Sequence, residues 1–216
     1  ENAHVPDGLL TKEQIADYCH EYEAKIEVLG GIDLQVLGIG GNGHIGFNES
    51  GSLQNSKTRL VALDHITRVA ASKDFFGLNN TPRTAITLGV KKIMEAKRVI
   101  LLAWGEGKSN IVKKSVEDEV TNRVPASFLQ EHDNAIFILD KEASSKLTRI
   151  NKPWLVEKIV WTDKLTRKAV LGLALDLKKP ILMLTDADYI ENGMSDLLAD
   201  SGPAYDTNIK IFNKLQ

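Results

Sequence analysis

Short apolar segments alternate with amphipathic segments along the chain as far as about residue 150. The apolar runs predict buried strands, and the amphipathic runs predict helices. The predicted strands are 32–37, 59–63, 85–88, 99–104 and 135–139, and the predicted helices are 12–29, 66–76, 90–96, 109–120 and 141–147. This alternation predicts an α/β protein: three-layer α/β/α with a mainly parallel, Rossmann-like sheet.

The pattern changes near residues 148–153, where we place a domain boundary. The first 150 residues are predicted to form one α/β domain. Beyond it the pattern predicts a helix at 162–177, a strand at 181–184 and a helix at 204–215. Residues 151–216 are therefore predicted to be an appended α/β segment or a connector to a further domain.

Composition and charge exclude several classes of protein. The chain has 216 residues, 43% of them hydrophobic, and a net charge of −2. Its charges are well mixed, so we expect no nucleic-acid partner, and no apolar run is long enough to suggest a membrane span. A cytoplasmic protein is expected. The single cysteine, Cys19, excludes an intramolecular disulfide and a Cys-rich zinc site, and we expect no metal.

Residues 38–49 contain the largest number of candidate catalytic and ligand-binding residues in one short segment. They read Gly-Ile-Gly-Gly-Asn-Gly-His-Ile-Gly-Phe-Asn-Glu and follow a predicted strand. The glycine spacing formally matches a dinucleotide fingerprint, but the residues after the third glycine are poor helix formers, which argues against that site. His44 lies beside Asn42 and Glu49 at a strand's carboxyl end, where α/β sheets bind ligands. An imidazole with a nearby carboxylate predicts proton transfer.

A second glycine-containing loop, residues 105–109, follows another predicted strand. It is not a P-loop, because Leu102 stands where that motif needs its first glycine. Lys108 at the start of a predicted helix is suited to binding a phosphate. A solvated lysine is the alternative, and the spacing alone does not choose between them.

The chain resembles the glucosamine-6-phosphate deaminase (isomerase) family over about residues 1–150. The most specific string is Gly-Asn-Gly-His-Ile-Gly-Phe-Asn-Glu, ending at Glu49. Further matching segments are 67–70, 75–76, 85–89 and 125–130. The related 6-phosphogluconolactonases do not read Phe-Asn-Glu after the histidine, which favours the deaminase branch.

The resemblance implies a role for each candidate residue. His44 would handle the proton of sugar-ring opening, Glu49 would hold its imidazole, and Asn42 would be a neutral amide where many members have aspartate. Lys108 matches the phosphate-binding lysine. Lys73 lies one residue before the usual place of a second phosphate cation. The implied reaction converts glucosamine 6-phosphate to fructose 6-phosphate and ammonia, without metal or redox cofactor. The implied partners are a phosphorylated amino sugar and, in a homo-oligomer, further copies of the chain.

The chain also departs from the family pattern. The Gly- and Thr-rich phosphate loop and the Asp-Glu-Tyr segment of the family's N-terminal portion do not occur in it. The chain thus resembles the C-terminal part of such an enzyme with a C-terminal extension. We expect a sheet that is incomplete at its N-terminal side and an isolated chain that is inactive. A non-catalytic sugar-phosphate-binding module is the alternative, and a phosphosugar lactonase is a third hypothesis.

Overall fold

The computed structural model of the chain describes residues 3–215. The chain divides into two compact units, Glu1–Leu147 and Thr148–Gln216. The roles predicted for these two parts of the chain stay predictions. Among residues 3–215, no helix is both long and apolar enough to cross a membrane.

The first unit alternates strands with helices. In chain order its elements are α1 Lys12–Val28, β1 Gln35–Gly38, β2 Arg59–Ala62, α2 His65–Ala71, β3 Thr84–Thr87, α3 Val90–Met94, β4 Val99–Ala103, α4 Ser109–Glu117 and β5 Ala135–Leu139, with 3-10 helices at Leu78–Asn80, Glu106–Lys108 and Pro125–Glu131. At the start of α1, the Gln14 side chain accepts a hydrogen bond from the Thr11 N–H, as in a capping box.

A three-stranded parallel sheet, in the order β1-β4-β5, organises this unit. Strands β2 and β3 form a separate antiparallel pair. One face of the parallel sheet carries Val99 and Leu101, which are fully buried in a core shared with Ile111 and Val112 of α4. This arrangement confirms the predicted α/β fold with its mainly parallel, Rossmann-like sheet.

Two helices predicted in the first unit are wrong in extent or in kind. The helix predicted at 66–76 ends at Ala71. Beyond it Phe76 and Gly77 have φ angles of 57° and 126°, which a right-handed helix cannot contain. The helix predicted at 141–147 is a series of turns. There the Ser144 and Ser145 hydroxyls bond backbone carbonyls three residues earlier, in competition with a helical pattern.

The second unit is helical over its described residues, so the α/β composition predicted for it is wrong. Its helices are α5 Thr148–Asn151, α6 Asp163–Leu177, α7 Asp186–Glu191, α8 Ser195–Ser201 and α9 Ala204–Asn213. The strand predicted at 181–184 is a 3-10 turn, Ile181–Met183. Its apolar run is confined between Pro180 and the cap of α7 at Thr185, and short apolar runs do not distinguish strand from helix. The unit has its own core around Val170, Tyr189 and Leu197.

Candidate active site

The glycine loop that follows β1 turns back on itself and brings His44 over Gly40. The Gly40 N–H donates to the His44 carbonyl at 3.0 Å, and the Gly43 N–H donates to the Gly40 carbonyl at 3.0 Å. Gly43 has a φ of 86°, in the left-handed region that favours glycine. A Cβ at Gly40 would collide with the His44 ring. These two glycines therefore permit the imidazole to lie against the loop backbone.

The His44 ring is held on one side by two acceptors. Its Nδ1 lies 2.8 Å from Asn42 Oδ1 and 3.2 Å from Glu49 Oε2. Asn42 Nδ2 donates to the same carboxylate at 2.9 Å, which turns its Oδ1 towards the imidazole. Because the Asn42 Oδ1 and the Glu49 carboxylate can only accept, the network places the hydrogen on Nδ1. Nε2 is then left as the ring nitrogen available for proton transfer.

Glu49 is held as a carboxylate although it is nearly buried. Its side chain is 11% exposed. Burial by itself would raise its pKa, but hydrogen bonds from Thr67 and Asn42, the nearby His44 and the Asp64 N–H together hold the pKa below its ordinary value. A carboxylate fixed beside an imidazole orients the ring and stabilises its protonated form.

Two further residues from the start of α2 join this network and were not predicted. The Asp64 N–H donates to Glu49 Oε1 at 3.3 Å, and Asp64 Oδ2 accepts from Asn42 Nδ2 at 3.2 Å. Thr67 Oγ1 lies 3.4 Å from His44 Nδ1. Thr67 lies in segment 67–70, one of those that carry the family resemblance, so the sequence contained a reason to consider it as a site residue. Nothing local marks Asp64, because its contacts are with residues far back in the chain.

A fully buried amide, Asn48, locks the far end of the glycine loop. Asn48 Nδ2 donates to the carbonyls of Ile45 at 3.0 Å and Leu88 at 2.8 Å. Arg59 Nη1 donates to Asn48 Oδ1 at 3.0 Å. The neighbouring Phe47 N–H donates to Thr87 Oγ1 at 3.0 Å. These bonds tie the loop to both strands of the antiparallel pair and so position Glu49.

A cavity of about 450 Å³ lies in front of the imidazole. This volume is typical of small-molecule sites. Its lining combines the glycine loop, His44, Lys108 and one side of α2: Gly38, Ile39, Gly40, Gly41, His44, Gly46, Ile66, Thr67, Ala70, Ala71 and Lys108. Lys108 Nζ donates to the Ile39 carbonyl at 2.7 Å. An ammonium group and an imidazole therefore share one cavity.

The five predicted site residues take three different places. His44 and Lys108 line the cavity, whereas Asn42 and Glu49 lie behind the imidazole and contact it from there. Lys73 is exposed on the turn after α2 and is not among the cavity-lining residues. Within residues 3–215, no three His, Cys, Asp or Glu side chains are arranged to hold a metal ion.

Solved structures share the fold of the first unit. A monomeric glucosamine-6-phosphate deaminase matches with a TM-score of 0.63 and 37% identity, over 66% of this chain and 58% of that chain. A 6-phosphogluconolactonase from Trypanosoma cruzi matches with a TM-score of 0.50 and 23% identity, over 66% of this chain and 55% of that chain, and shows the fold alone.

Similar sequences carry deaminase names. A glucosamine-6-phosphate deaminase-like protein of Bacteroides thetaiotaomicron is 52% identical over 216 residues, which are 100% of this chain and 33% of that protein. A glucosamine-6-phosphate deaminase of Rhodopirellula baltica is 44% identical over 149 residues, which are 69% of this chain and 59% of that protein. The chain thus spans about a third of the first relative and about three-fifths of the second.

The family model for glucosamine-6-phosphate isomerases and 6-phosphogluconolactonases matches residues 2–138. This range contains the glycine loop, the parallel sheet as far as β5 and every residue of the cavity. The chain belongs to the glucosamine-6-phosphate isomerase/6-phosphogluconolactonase family.

Proposed function

We propose that the chain is the His44-bearing part of an enzyme that converts glucosamine 6-phosphate to fructose 6-phosphate and ammonia. One observation carries this proposal. The imidazole of His44, held through Nδ1 by Asn42 and Glu49, faces a cavity of about 450 Å³ that also contains the Lys108 ammonium group. That pairing of a proton carrier with an anion-binding cation suits a phosphorylated sugar.

His44 would open the sugar ring in this reaction. Opening a hemiacetal removes the proton of the anomeric hydroxyl and supplies a proton to the ring oxygen. An imidazole with Nε2 free can accept the first proton and donate the second. Glu49 stabilises the imidazolium formed between the two steps, and Asn42 keeps the ring orientation without adding a further negative charge.

Lys108 would bind the phosphate. It precedes α4, whose first backbone N–H groups and dipole also favour an anion. Without ligand, its Nζ bonds the Ile39 carbonyl, an interaction that a phosphate oxygen can replace. Lys73 would act as a second cation only if the turn after α2 brings it towards the cavity, since it does not line the cavity in this structure.

The base that isomerisation needs at C2 would come from outside this chain. Among the described residues that line the cavity, none is a carboxylate. The deaminases have further polypeptide beyond the region that this chain matches. One relative acts as a monomer, so we place the missing group in that same further portion rather than in a second copy. The isolated chain is accordingly expected to be inactive.

Replacing His44 tests this proposal. In the complete polypeptide that contains this chain, His44→Ala should lower the rate of ammonia release from glucosamine 6-phosphate by about 10²–10⁴-fold, because general acid–base catalysis contributes about that much. His20→Ala, at an exposed position of α1, is the matched control and should leave the rate unchanged. Full activity of the His44→Ala protein would refute the assignment.

A sugar-phosphate-binding module without catalysis is the second candidate. The absence of a carboxylate among the described cavity-lining residues and the exposed position of Lys73 favour it. Calorimetry with glucosamine 6-phosphate separates the two: binding without turnover in the complete polypeptide would support the module. Lactonase activity remains a weaker alternative, since the solved lactonase shares only the fold. Homo-oligomerisation and a cytoplasmic location stay predictions.

A further inference from the structure

The helical second unit contains a cavity of its own, which we call the α6 cavity. It has a volume of about 190 Å³, and its lining comes from α6, from the 3-10 turn Pro153–Leu155 and from the end of α7 with the residues that follow it. Its apolar lining residues are Ala169, Gly172 and Leu173 on α6 and Trp154, Leu155 and Met194 outside α6. The family model ends at residue 138, so this cavity lies outside the matched region.

Polar contacts between different segments fix the walls of the α6 cavity. The Trp154 indole N–H donates to the Asn192 carbonyl at 3.2 Å and so joins the 3-10 turn to the residues after α7. Lys152 Nζ and the Asp176 carboxylate form an ion pair at 2.7 Å, which joins the start of that turn to α6. The unit therefore forms the cavity without a ligand. A largely preformed cavity is typical of small-molecule sites.

A glycine in the middle of α6 gives access to the helix backbone. Gly172 lies inside the 15-residue helix Asp163–Leu177, where glycine weakens a helix relative to alanine. Beyond its own helix, a Cβ at Gly172 would meet no atom of the described residues within 4 Å, so packing inside the chain does not require this glycine. What the missing side chain provides is room for a group in the cavity to lie against the backbone.

The size and the apolar lining of the cavity suit one aromatic ring. An apolar cavity of about 150 Å³ holds benzene, so a volume of about 190 Å³ is sufficient for a ring of that size or slightly larger. The Trp154 side chain offers such a ring an aromatic contact. Met194, which is 1% exposed, adds a polarizable thioether, and sulfur–aromatic contacts are favourable.

The charged lining residues favour a ligand without net charge. They comprise two cations and two anions: Lys152, Lys168, Asp176 and Glu191. Asp176 already neutralises Lys152 through their ion pair. Neither a strong anion nor a strong cation is therefore preferred, whereas a hydroxyl or N–H substituent of a neutral ring finds polar partners beside the apolar lining.

We propose that the α6 cavity binds a small neutral molecule with one aromatic ring system, such as a phenol or an indole. The ring contacts Trp154, Met194 and the α6 backbone at Gly172, and its polar substituent lies among the charged lining residues. This site goes beyond the proposed deamination and does not depend on it.

Titration of the 216-residue chain with indole, followed by NMR of the tryptophan side-chain N–H groups, tests the proposal. The chain has three tryptophans, so three such signals are expected. The Trp154 signal should shift in a saturable way with a dissociation constant on the order of 1 mM or below. Cyclohexanol, an aliphatic ring of similar size, should bind about three- to tenfold more weakly because it lacks the aromatic contact.

Gly172→Leu tests the location of the site. The leucine side chain would occupy the cavity, so the affinity for indole should fall at least tenfold. Because leucine favours a helix and a Cβ at this position meets no other atom, the melting temperature of the helical unit should rise rather than fall. Arg167→Leu, at an exposed position of α6 that does not line the cavity, is the matched control and should bind indole as the parent does.

Three results would overturn the proposal. The absence of a saturable shift of the Trp154 signal at ten times the expected dissociation constant would show that the cavity does not accept the ring. Equal affinity for indole and cyclohexanol would remove the aromatic preference. Unchanged affinity of a folded Gly172→Leu chain would place the bound indole elsewhere. Because each result is read from binding alone, none of them bears on the deamination proposed for the first unit.

Discussion

At the scale of single residues, the candidate site depends on how a small set of polar groups share hydrogen bonds. Asn42 Nδ2 is shared by the carboxylates of Glu49 and Asp64, while its Oδ1 faces His44. One neutral amide therefore separates two carboxylates and orients an imidazole. An aspartate at position 42 would instead place three carboxylates together, which like-charge repulsion opposes.

Glu49→Gln should reduce stability in a way that depends on pH. The Glu49 pKa is lowered from its ordinary value of 4.5 in the folded chain, so folding favours the carboxylate. Its contribution is fully present above pH 4.5 and is lost as the pH falls through the lower folded value. The loss of unfolding free energy in the variant should thus be largest near pH 7 and shrink in acid.

Urea unfolding at pH 7 and in acid measures this difference. Glu21→Gln, at an exposed position of α1, is the control and should match the parent at both pH values. An equal deficit of the Glu49→Gln protein at the two pH values would show that the carboxylate charge is not what stabilises the loop.

Among the elements, the glycine loop continues β1 and is hydrogen-bonded at both of its ends. It is fastened at Gly40 by the His44 carbonyl and at Asn48 by bonds to the antiparallel pair. α2 closes the other side of the cavity through Thr67. The loop that carries the imidazole is therefore held by these hydrogen bonds as well as by its connection to the sheet.

Asn48→Ala should destabilise the first unit by about 3 kcal/mol, because it leaves buried carbonyls and Arg59 without their partner. Denaturant unfolding gives this value. Asn55→Ala, at an exposed position in the same connection, should change the free energy of unfolding by no more than about 0.5 kcal/mol. Equal stability of the two variants would mean that Asn48 does not hold the loop.

At the scale of the whole molecule, the two units have separate hydrophobic cores. Leu101 is fully buried in the first, and Leu197 is fully buried in the second. The match to the Bacteroides protein includes both units, whereas the match to the Rhodopirellula deaminase covers 69% of this chain. The helical unit is thus shared with a much longer relative.

Separate cores predict two calorimetric transitions. Leu197→Ala should lower the stability of one transition by about 2–5 kcal/mol, the usual cost of this change in a core, and leave the other unchanged. Leu101→Ala should lower the stability of the other transition by a similar amount and leave the first unchanged. A single transition that both substitutions shift together would show that the units unfold as one.

The local features of this chain were readable without its structure. The alternation of strands and helices and the glycine loop around His44 each depend on residues a few positions apart in the sequence. The incorrect predictions of a helix at 66–76 and a strand at 181–184 also have local causes. Phe76 has a left-handed φ, and the apolar run after Pro180 is too short for its periodicity to distinguish a strand from a helix.

The α/β class, the strand that leads into the glycine loop and the pairing of His44 with Glu49 follow from residues that are close together in the sequence. The folded chain was needed to show that Asp64 and Thr67 join them, that Lys108 shares their cavity while Lys73 does not, and that one face of the sheet is open. The residues that make these later contacts are far apart along the chain. These contacts depend on strand register and helix placement, which are set by packing between distant segments and leave no periodic trace in the sequence.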